Sequence, residues 1–497
     1  MEQKYIVAFE IGSAYIKGAI ATTVPGAPGR VNILAVETEH LVDKVRYGCV
    51  ENPGDVAACV TSICHKLQAA PGVSPRSIKE VYVGLSGRSL ASYPHEVTRD
   101  FHAEIEITRR TIDDLMQQAA ARAIAEREVV AIEPGSFSVD SQTTHDPVGM
   151  FGHILSAQVS LVACKPRMRN NIKRVFNERC ALNIAGYVVT PLAMGTQLLT
   201  VEERRLGVML VDFGAETTTV AIYRAGALVY LATIPMGSRN ITRDITSLNC
   251  LEERAEEIKK AVGNAMPPEP GVAPLVTDGL DNSEINNIIA ARADEIISNI
   301  YEQIAYAGLK PQQLPEGVVV TGGGAALRGF TELLAKQTQL KTRAASLGPG
   351  VTVVGHGINA NNALDVISII TEAAMTDPVE CTMMPPSSVM EHHAEVSVNE
   401  TITPSGNQDD EDEHRIGRME DEDDSILSDQ GDDDEVETVT VKKTKTRDDR
   451  KDNKKTDRKV DTKSEPGDAS DARSKNFWAR LSQSINNMMK EDSDFEN

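Results

Sequence analysis

Along the first three quarters of the chain, short apolar runs rich in β-branched residues alternate with longer stretches whose apolar positions recur every three to four residues. The runs Ile6 to Phe9, Val81 to Leu85, Gly207 to Val211 and Val318 to Val320 predict buried strands, and Thr111 to Arg127 and Ser283 to Leu309 predict helices. Such alternation predicts a folded α/β protein. It persists from Tyr5 to about Glu372 and then stops. Beyond Asp377-Pro378 come Pro385-Pro386, an acidic block and a basic block, roughly ninety residues too poor in apolar side chains to offset the entropy of ordering. Apolar positions return only in Lys475 to Lys490. At 100° per residue, Phe477, Trp478, Leu481, Ile485, Met488 and Met489 share an arc of about 120°, while Asn486, Gln483, Asn487, Lys490 and Arg480 face away. This predicts a short amphipathic helix on a long tether. With Arg473, Lys475, Arg480 and Lys490 flanking the apolar arc, anionic lipid is the expected surface, against the alternative of docking on the chain's own body.

Composition refines the picture. The chain has 497 residues, 41% of them hydrophobic and 4% aromatic, and a formal net charge of -22. That length allows two to four domains. Asp409 to Glu437 holds 16 acidic and 2 basic residues, so this block alone supplies -14 and leaves the body only mildly acidic. A body without a net basic face argues against nucleic-acid binding. The seven cysteines are scattered with no Cys-x-x-Cys pair, which argues against a disulfide framework or zinc site and for a reducing, cytosolic compartment. Met1 to Lys4 leads straight into a strand-like run with a carboxylate inside it, so a signal peptide is not expected, and no run reaches the roughly 18 apolar residues of a spanning helix.

Two segments 202 residues apart echo each other: Ile6 to Ile20, containing Glu10, Gly12, Ser13 and Lys17, and Met209 to Tyr223, containing Asp212, Gly214, Thr217 and Thr218. Each reads strand, carboxylate, glycine, polar turn, strand. A glycine in such a turn lets backbone N–H groups approach a phosphate, and the carboxylate can hold a cation through its water shell. A third element, Val318 to Gly329, runs from a buried strand through Gly322, Gly323 and Gly324 into a predicted helix, a turn that admits a flat or anionic ligand.

In this order, the three segments resemble the two phosphate motifs and the adenosine motif of the actin and sugar-kinase ATPase superfamily. Within it the chain is most similar to the bacterial cell-division family FtsA. Val81-Tyr-Val-Gly84-Leu-Ser86-Gly87 resembles that family's lead-in to an inserted subdomain, Asn183 to Ala193 and Leu206 to Asp212 resemble the return, and Ala255-Glu256-Glu257-Ile258-Lys259 resembles its nucleotide-proximal helix. The resemblance implies an α/β fold: a two-lobed actin-like ATPase with an inserted α+β subdomain, then a disordered tail and the amphipathic helix. The implied boundaries are 1–83 for the start of lobe 1, 84–165 for the insert, 166–206 for the return of lobe 1, 207–372 for lobe 2, 373–473 for the linker and 474–490 for the membrane helix.

It also implies ATP with Mg²⁺ as cofactor. Glu10, Gly12, Ser13 and Lys17 would face the phosphates from one side and Asp212, Gly214, Thr217 and Thr218 from the other. Gly322, Gly323 and Gly324 would back the adenosine, Glu256 and Lys259 would reach the ribose and base, and Glu10 and Asp212 would hold Mg²⁺ through water. Where the superfamily usually has Asp, Glu10 carries its carboxylate roughly 1.5 Å farther out, so nucleotide is expected mainly as a ligand controlling assembly, with weak or absent hydrolysis. The implied partners are the C-terminal peptide of the tubulin-like protein FtsZ, received beside Arg292, further copies of the chain, other division proteins and anionic lipid, with no nucleic acid. The implied place is the cytoplasmic face of the inner membrane at the division septum. A small-molecule kinase or a pilus-assembly protein of the same superfamily is the alternative; the sequence shows no acidic base for the first, and the C-terminal helix speaks against both.

Overall fold

The computed structural model describes residues 3–385 apart from 42–43, 268–275 and 278. The residues expected to meet a membrane, Lys475 to Met489, and nearly all of the expected tether lie outside the described residues.

Two sheets carry the fold, and they are built alike. In the first, the strands Tyr5–Ile11, Tyr15–Thr23 and Val31–His40 form an antiparallel meander, and Glu80–Leu85 then Asn183–Val189 extend it in parallel from its first strand. In the second, Val208–Phe213, Thr218–Arg224 and Ala227–Ile234 form the meander, and Val318–Thr321 then Thr342–Ala344 extend it in the same way. The echo seen in the sequence is therefore a repeated supersecondary unit. The strand Val208–Phe213 alternates between two cores: Val208 and Leu210 join the first lobe's cluster, while Met209, Val211 and Phe213 face the helices of the second. Burial on both faces is why such strands read as continuous apolar runs.

Between the lobes' sequences lies a smaller unit with its own core around Val97, Leu115, Phe137 and Leu161. Its strands Ala91–Glu106, Glu128–Val139, Gln142–Thr144 and Phe151–Cys164 continue the second sheet, joined to it by the pairing of Ala91 with Ala232.

Two helices end earlier than their periodicity predicts. Arg109–Ala120 stops seven residues short of Arg127, because Glu126 takes a left-handed φ of 57° and Ile124 bridges to Arg127, turning the chain into the strand that starts at Glu128. Asn282–Tyr306 stops before Leu309 because Gly308 adopts a φ of 71° and Leu309 N–H closes back on the Ile304 carbonyl, a glycine-terminated end. Periodicity reports a buried face, and backbone conformation decides where it stops.

The chain also packs on beyond Glu372. The Lys4 ammonium meets Asp377 at 2.7 Å, Tyr5 N–H donates to Glu380, Cys381 N–H donates to the Tyr5 carbonyl, and Thr382–Met383 pairs with Ser77–Ile78.

Candidate functional site

Both hairpin turns close by the same bond. Gly12 N–H donates to the Tyr15 carbonyl at 2.9 Å, and Gly214 N–H donates to the Thr217 carbonyl at 2.8 Å. A Cβ at either glycine would lie 3.0 Å or less from that carbonyl. The glycines are thus needed to close the turns, and their N–H groups are spent doing so. The helix Ser238–Ile245 seats its start on the second turn, with Ser238 N–H on the Gly214 carbonyl and Arg239 N–H on that of Ala215.

A charged cluster lies behind the turns. Glu10 is 5% exposed, and its two oxygens accept from Ser86 Oγ and Thr190 Oγ1, each at 2.6 Å. Burial, assisted by the neighbouring Asp365, raises its pKa to about 7 in spite of those two bonds. The longer side chain fits because residue 84 is glycine: a Cβ there would stand 1.9 Å from Glu10 Oε2. Asp212 is only partly covered by protein atoms, yet burial in the cleft, then Asp365, push its pKa up to about 6 against the pull of Lys17. Lys17, directly across the ladder from Glu10, pairs with Asp365 at 2.6 Å. Burial favours its neutral form, but Asp365, Asp212 and Glu10 together outweigh that and leave its pKa raised.

Three carboxyls therefore crowd one ammonium. That excess of negative charge fits a divalent cation, which would release the strain that the raised pKa values express. Among the described residues no three acidic, His or Cys groups stand close enough to hold a bare ion. A cation held through its water shell, by Asp212 with Glu10 behind, is what these residues suit.

The three glycines divide their work. A Cβ on Gly322, whose φ is 90°, would meet the Phe213 carbonyl at 2.4 Å and Asp212 Oδ1 at 2.5 Å, and one on Gly324 would strike the Phe213 ring. Gly323 alone of the three faces open space. Gly322 and Gly324 seat this turn on the second hairpin, and Gly323 leaves room for a ligand. The last two of them already belong to a short 3-10 turn, Gly323–Ala326, and the helix Phe330–Thr338 starts only past Gly329.

Lys259 is buried, and its ammonium reaches the Ser238 carbonyl at 3.1 Å, Thr242 Oγ1 at 2.7 Å and Glu256 Oε2 at 2.6 Å. Its three donors are all used inside the protein, so it locks the helix Glu252–Val262 onto the helix that caps the second turn. Glu256 keeps a side chain 35% exposed and is the member of the pair with reach toward solvent. Arg292 grips Asp244 with two nitrogens at 2.5 and 3.0 Å and touches Glu295 at 2.5 Å. It lines an open groove of about 550 Å³ with Arg243, Thr246, Ser247, Ile288 and Ala291.

Some participants were not assigned from sequence. Ser86 and Thr190 sit in segments already marked by resemblance, but their hydroxyls meet Glu10 only through parallel strand pairing. Asp365 opens the apolar helix Leu364–Ala373, 348 residues from Lys17, and carries no local signal.

Comparison with known proteins agrees with this architecture. Residues 209–362 match the family model "Cell division protein FtsA", and residues 87–163 match "SHS2 domain inserted in FTSA". The cell division protein FtsA of Porphyromonas gingivalis is 30% identical over 336 residues, covering 66% of this chain and 69% of that protein. The chain belongs to the FtsA family. The FtsA of Escherichia coli K12 is 29% identical over 349 residues, covering 66% of this chain and 81% of that one. Among solved structures, a chain of the PilM-PilN type IV pilus biogenesis complex superposes with a TM-score of 0.54 at 16% identity, over 75% of this chain and 99% of its own, a likeness of fold. The α/β class, the actin-like lobes and the inserted subdomain are thus those expected of FtsA, and a role in cell division comes with the family. Among the described residues no helix is long and apolar enough to cross a membrane.

Proposed function

We propose that this FtsA-family chain binds ATP with Mg²⁺ between its two hairpin turns, polymerises on the cytoplasmic face of the inner membrane at the septum, and ties the FtsZ ring to it. The observation that carries the nucleotide site is the matched pair of glycine-closed turns backed by Glu10, Asp212, Asp365 and Lys17. Asp212, with Glu10 behind it, would hold Mg²⁺ through its water shell, and the ion would supply positive charge against the carboxyl excess. Lys17 contributes its charge beside the phosphates, although its partner Asp365 holds the ammonium back. Thr217 and Thr218 belong to the second turn and its strand, and Thr218 Oγ1 is committed to the Met236 carbonyl at 2.7 Å, so Thr217 is the hydroxyl left to meet phosphate. Gly323 leaves space for the adenosine, with Glu256 alongside. Glu10 is fully engaged by Ser86 and Thr190, which supports nucleotide acting as a ligand for lobe closure more than as a hydrolysed substrate.

The groove beside Arg292 is the proposed receiver of the FtsZ C-terminal peptide, an incoming carboxylate sharing the guanidinium with Asp244. Copies of the chain and other division proteins complete the partners, and the helix 474–490 supplies the contact with anionic lipid. Calorimetric titration of the full chain with ATP and Mg²⁺, then with an FtsZ C-terminal peptide, tests both sites. Saturable ATP binding that Asp212→Ala weakens at least tenfold, and peptide binding that Arg292→Glu removes, are expected. Unchanged binding in either variant refutes the corresponding site.

A further inference from the structure

One hairpin in the first lobe has no part in the site as described so far. Its strands Val45–Arg46 and Cys49–Val50 are joined by Tyr47 and Gly48, both at positive φ, 50° and 76°. A tight turn of this kind leaves its two central N–H groups pointing away from the hairpin. Here they reach the two ligand turns. Tyr47 N–H donates to Glu216 Oε2 at 2.7 Å, and Gly48 N–H donates to Ser13 Oγ at 3.0 Å. Ser13 lies in the first turn and Glu216 in the second, so a two-residue tip spans the interval where phosphates are proposed to sit.

The tip is held from behind. Arg88 N–H donates to the Tyr47 carbonyl at 2.9 Å, and a Cβ on Gly48 would lie 2.5 Å from Gly87 Cα, so the hairpin rests backbone on backbone against the loop that also carries Ser86. Glu216 is 2% exposed, and its other oxygen takes Arg239 at 3.0 Å, with Arg243 at 3.6 Å. Val45 and Val50 are buried in the first lobe's core, whereas Arg239 and Arg243 sit on the helix that caps the second lobe's turn. The Tyr47–Glu216 bond therefore crosses the cleft between the lobes, and it does so at the phosphate end.

We propose that Glu216 and the Tyr47–Gly48 tip form a latch that holds the lobes closed over bound nucleotide and sets how fast it leaves. The inference rests on the nucleotide site proposed above. Opening the lobes must break a hydrogen bond to a carboxylate, a contact stronger than one between neutral groups. The latch acts on release because it forms only when the turns approach each other. Glu216 is a positioning residue here.

The test is stopped-flow release of a fluorescent ATP analogue with Mg²⁺ from the full chain, from Glu216→Ala and from Glu216→Gln. Release roughly tenfold faster in Glu216→Ala is expected, with the association rate unchanged and Glu216→Gln between the two, since its amide oxygen still accepts from Tyr47. Because Glu216→Ala removes one of the two carboxylates that Arg239 and Arg243 share, Glu252 being the other, and can loosen the helix that carries them, hydrogen exchange on the unaltered chain gives a second measure. The Tyr47 amide should gain protection when the analogue binds. Normal binding with equal release rates, or Tyr47 protection that nucleotide does not change, overturns the latch alone; absence of any binding to the unaltered chain overturns the nucleotide site and the latch with it.

Discussion

At the scale of single residues, Glu10 sets the character of the site. Its carboxyl titrates near pH 7 in the fold and near the ordinary Glu value once unfolded. Between those values the folded chain binds more protons than the unfolded one, so the contribution of Glu10 to stability falls as pH rises from about 4.5 to about 7. The loss amounts to about 3 kcal/mol in full. Glu10→Gln should therefore flatten the pH dependence of urea unfolding between pH 5 and 8, and an unaltered slope would show that Glu10 is not the group concerned. Saturating Mg²⁺ and ATP should flatten it too. The Lys17–Asp365 pair makes a second prediction: Asp365→Asn frees the ammonium but removes a negative charge, so nucleotide affinity should rise severalfold, measured by titration at fixed Mg²⁺. Glu10 and Lys17 were legible in the sequence because they lie in one hairpin. Asp365, Ser86 and Thr190 were not, because strand pairing and a distant helix bring them in, and neither leaves a local pattern.

At the scale of elements, the joints between strands and helices hold the site in shape. Gly84 is one such joint, where a Cβ would meet Glu10 Oε2 at 1.9 Å, Thr190 Oγ1 at 2.5 Å and Ile369 Cδ1 at 2.7 Å, side chains from three different elements. Gly84→Ala should cost about 1 to 3 kcal/mol, read from urea unfolding, and weaken nucleotide binding by displacing Glu10. A wild-type midpoint would contradict the packing described. A second joint links the inserted unit to the first lobe, in whose core the helix Leu364–Ala373 packs. Glu133 on the inserted strand Glu128–Val139 has its pKa raised to about 7, first by burial and then by Glu372 on the helix Leu364–Ala373, with Arg204 opposing. Glu133→Gln should stabilise the chain at pH 8 and have little effect at pH 5, by thermal melting. The strands were evident as β-branched runs and the helices as periodic ones. Where the helices end was not, since Glu126 and Gly308 act through backbone conformation and not through an apolar pattern.

At the scale of the whole molecule, the repeated sheet explains why two phosphate-type turns face one another: each lobe presents the end of the same meander. The repeat was visible as an echo 202 residues apart, and the glycine-rich third segment fell into place beside the second copy. The inserted unit showed only as a family likeness, because its own strands carry mixed burial. The proposed membrane attachment belongs to this scale as well. If the segment 474–490 forms the proposed helix, its six apolar side chains would contribute at most about 9 to 18 kcal/mol on full burial, while ordering some fourteen residues would cost on the order of 1 to 2 kcal/mol each. A single copy should bind weakly and a polymer strongly, through effective concentration. Sedimentation with anionic liposomes, with and without ATP, comparing the full chain with a truncation ending at Ser474 and with Trp478→Glu, tests this most directly. The account predicts that the full chain pellets, more so under conditions of assembly, while both variants stay in the supernatant; equal behaviour of all three would contradict it.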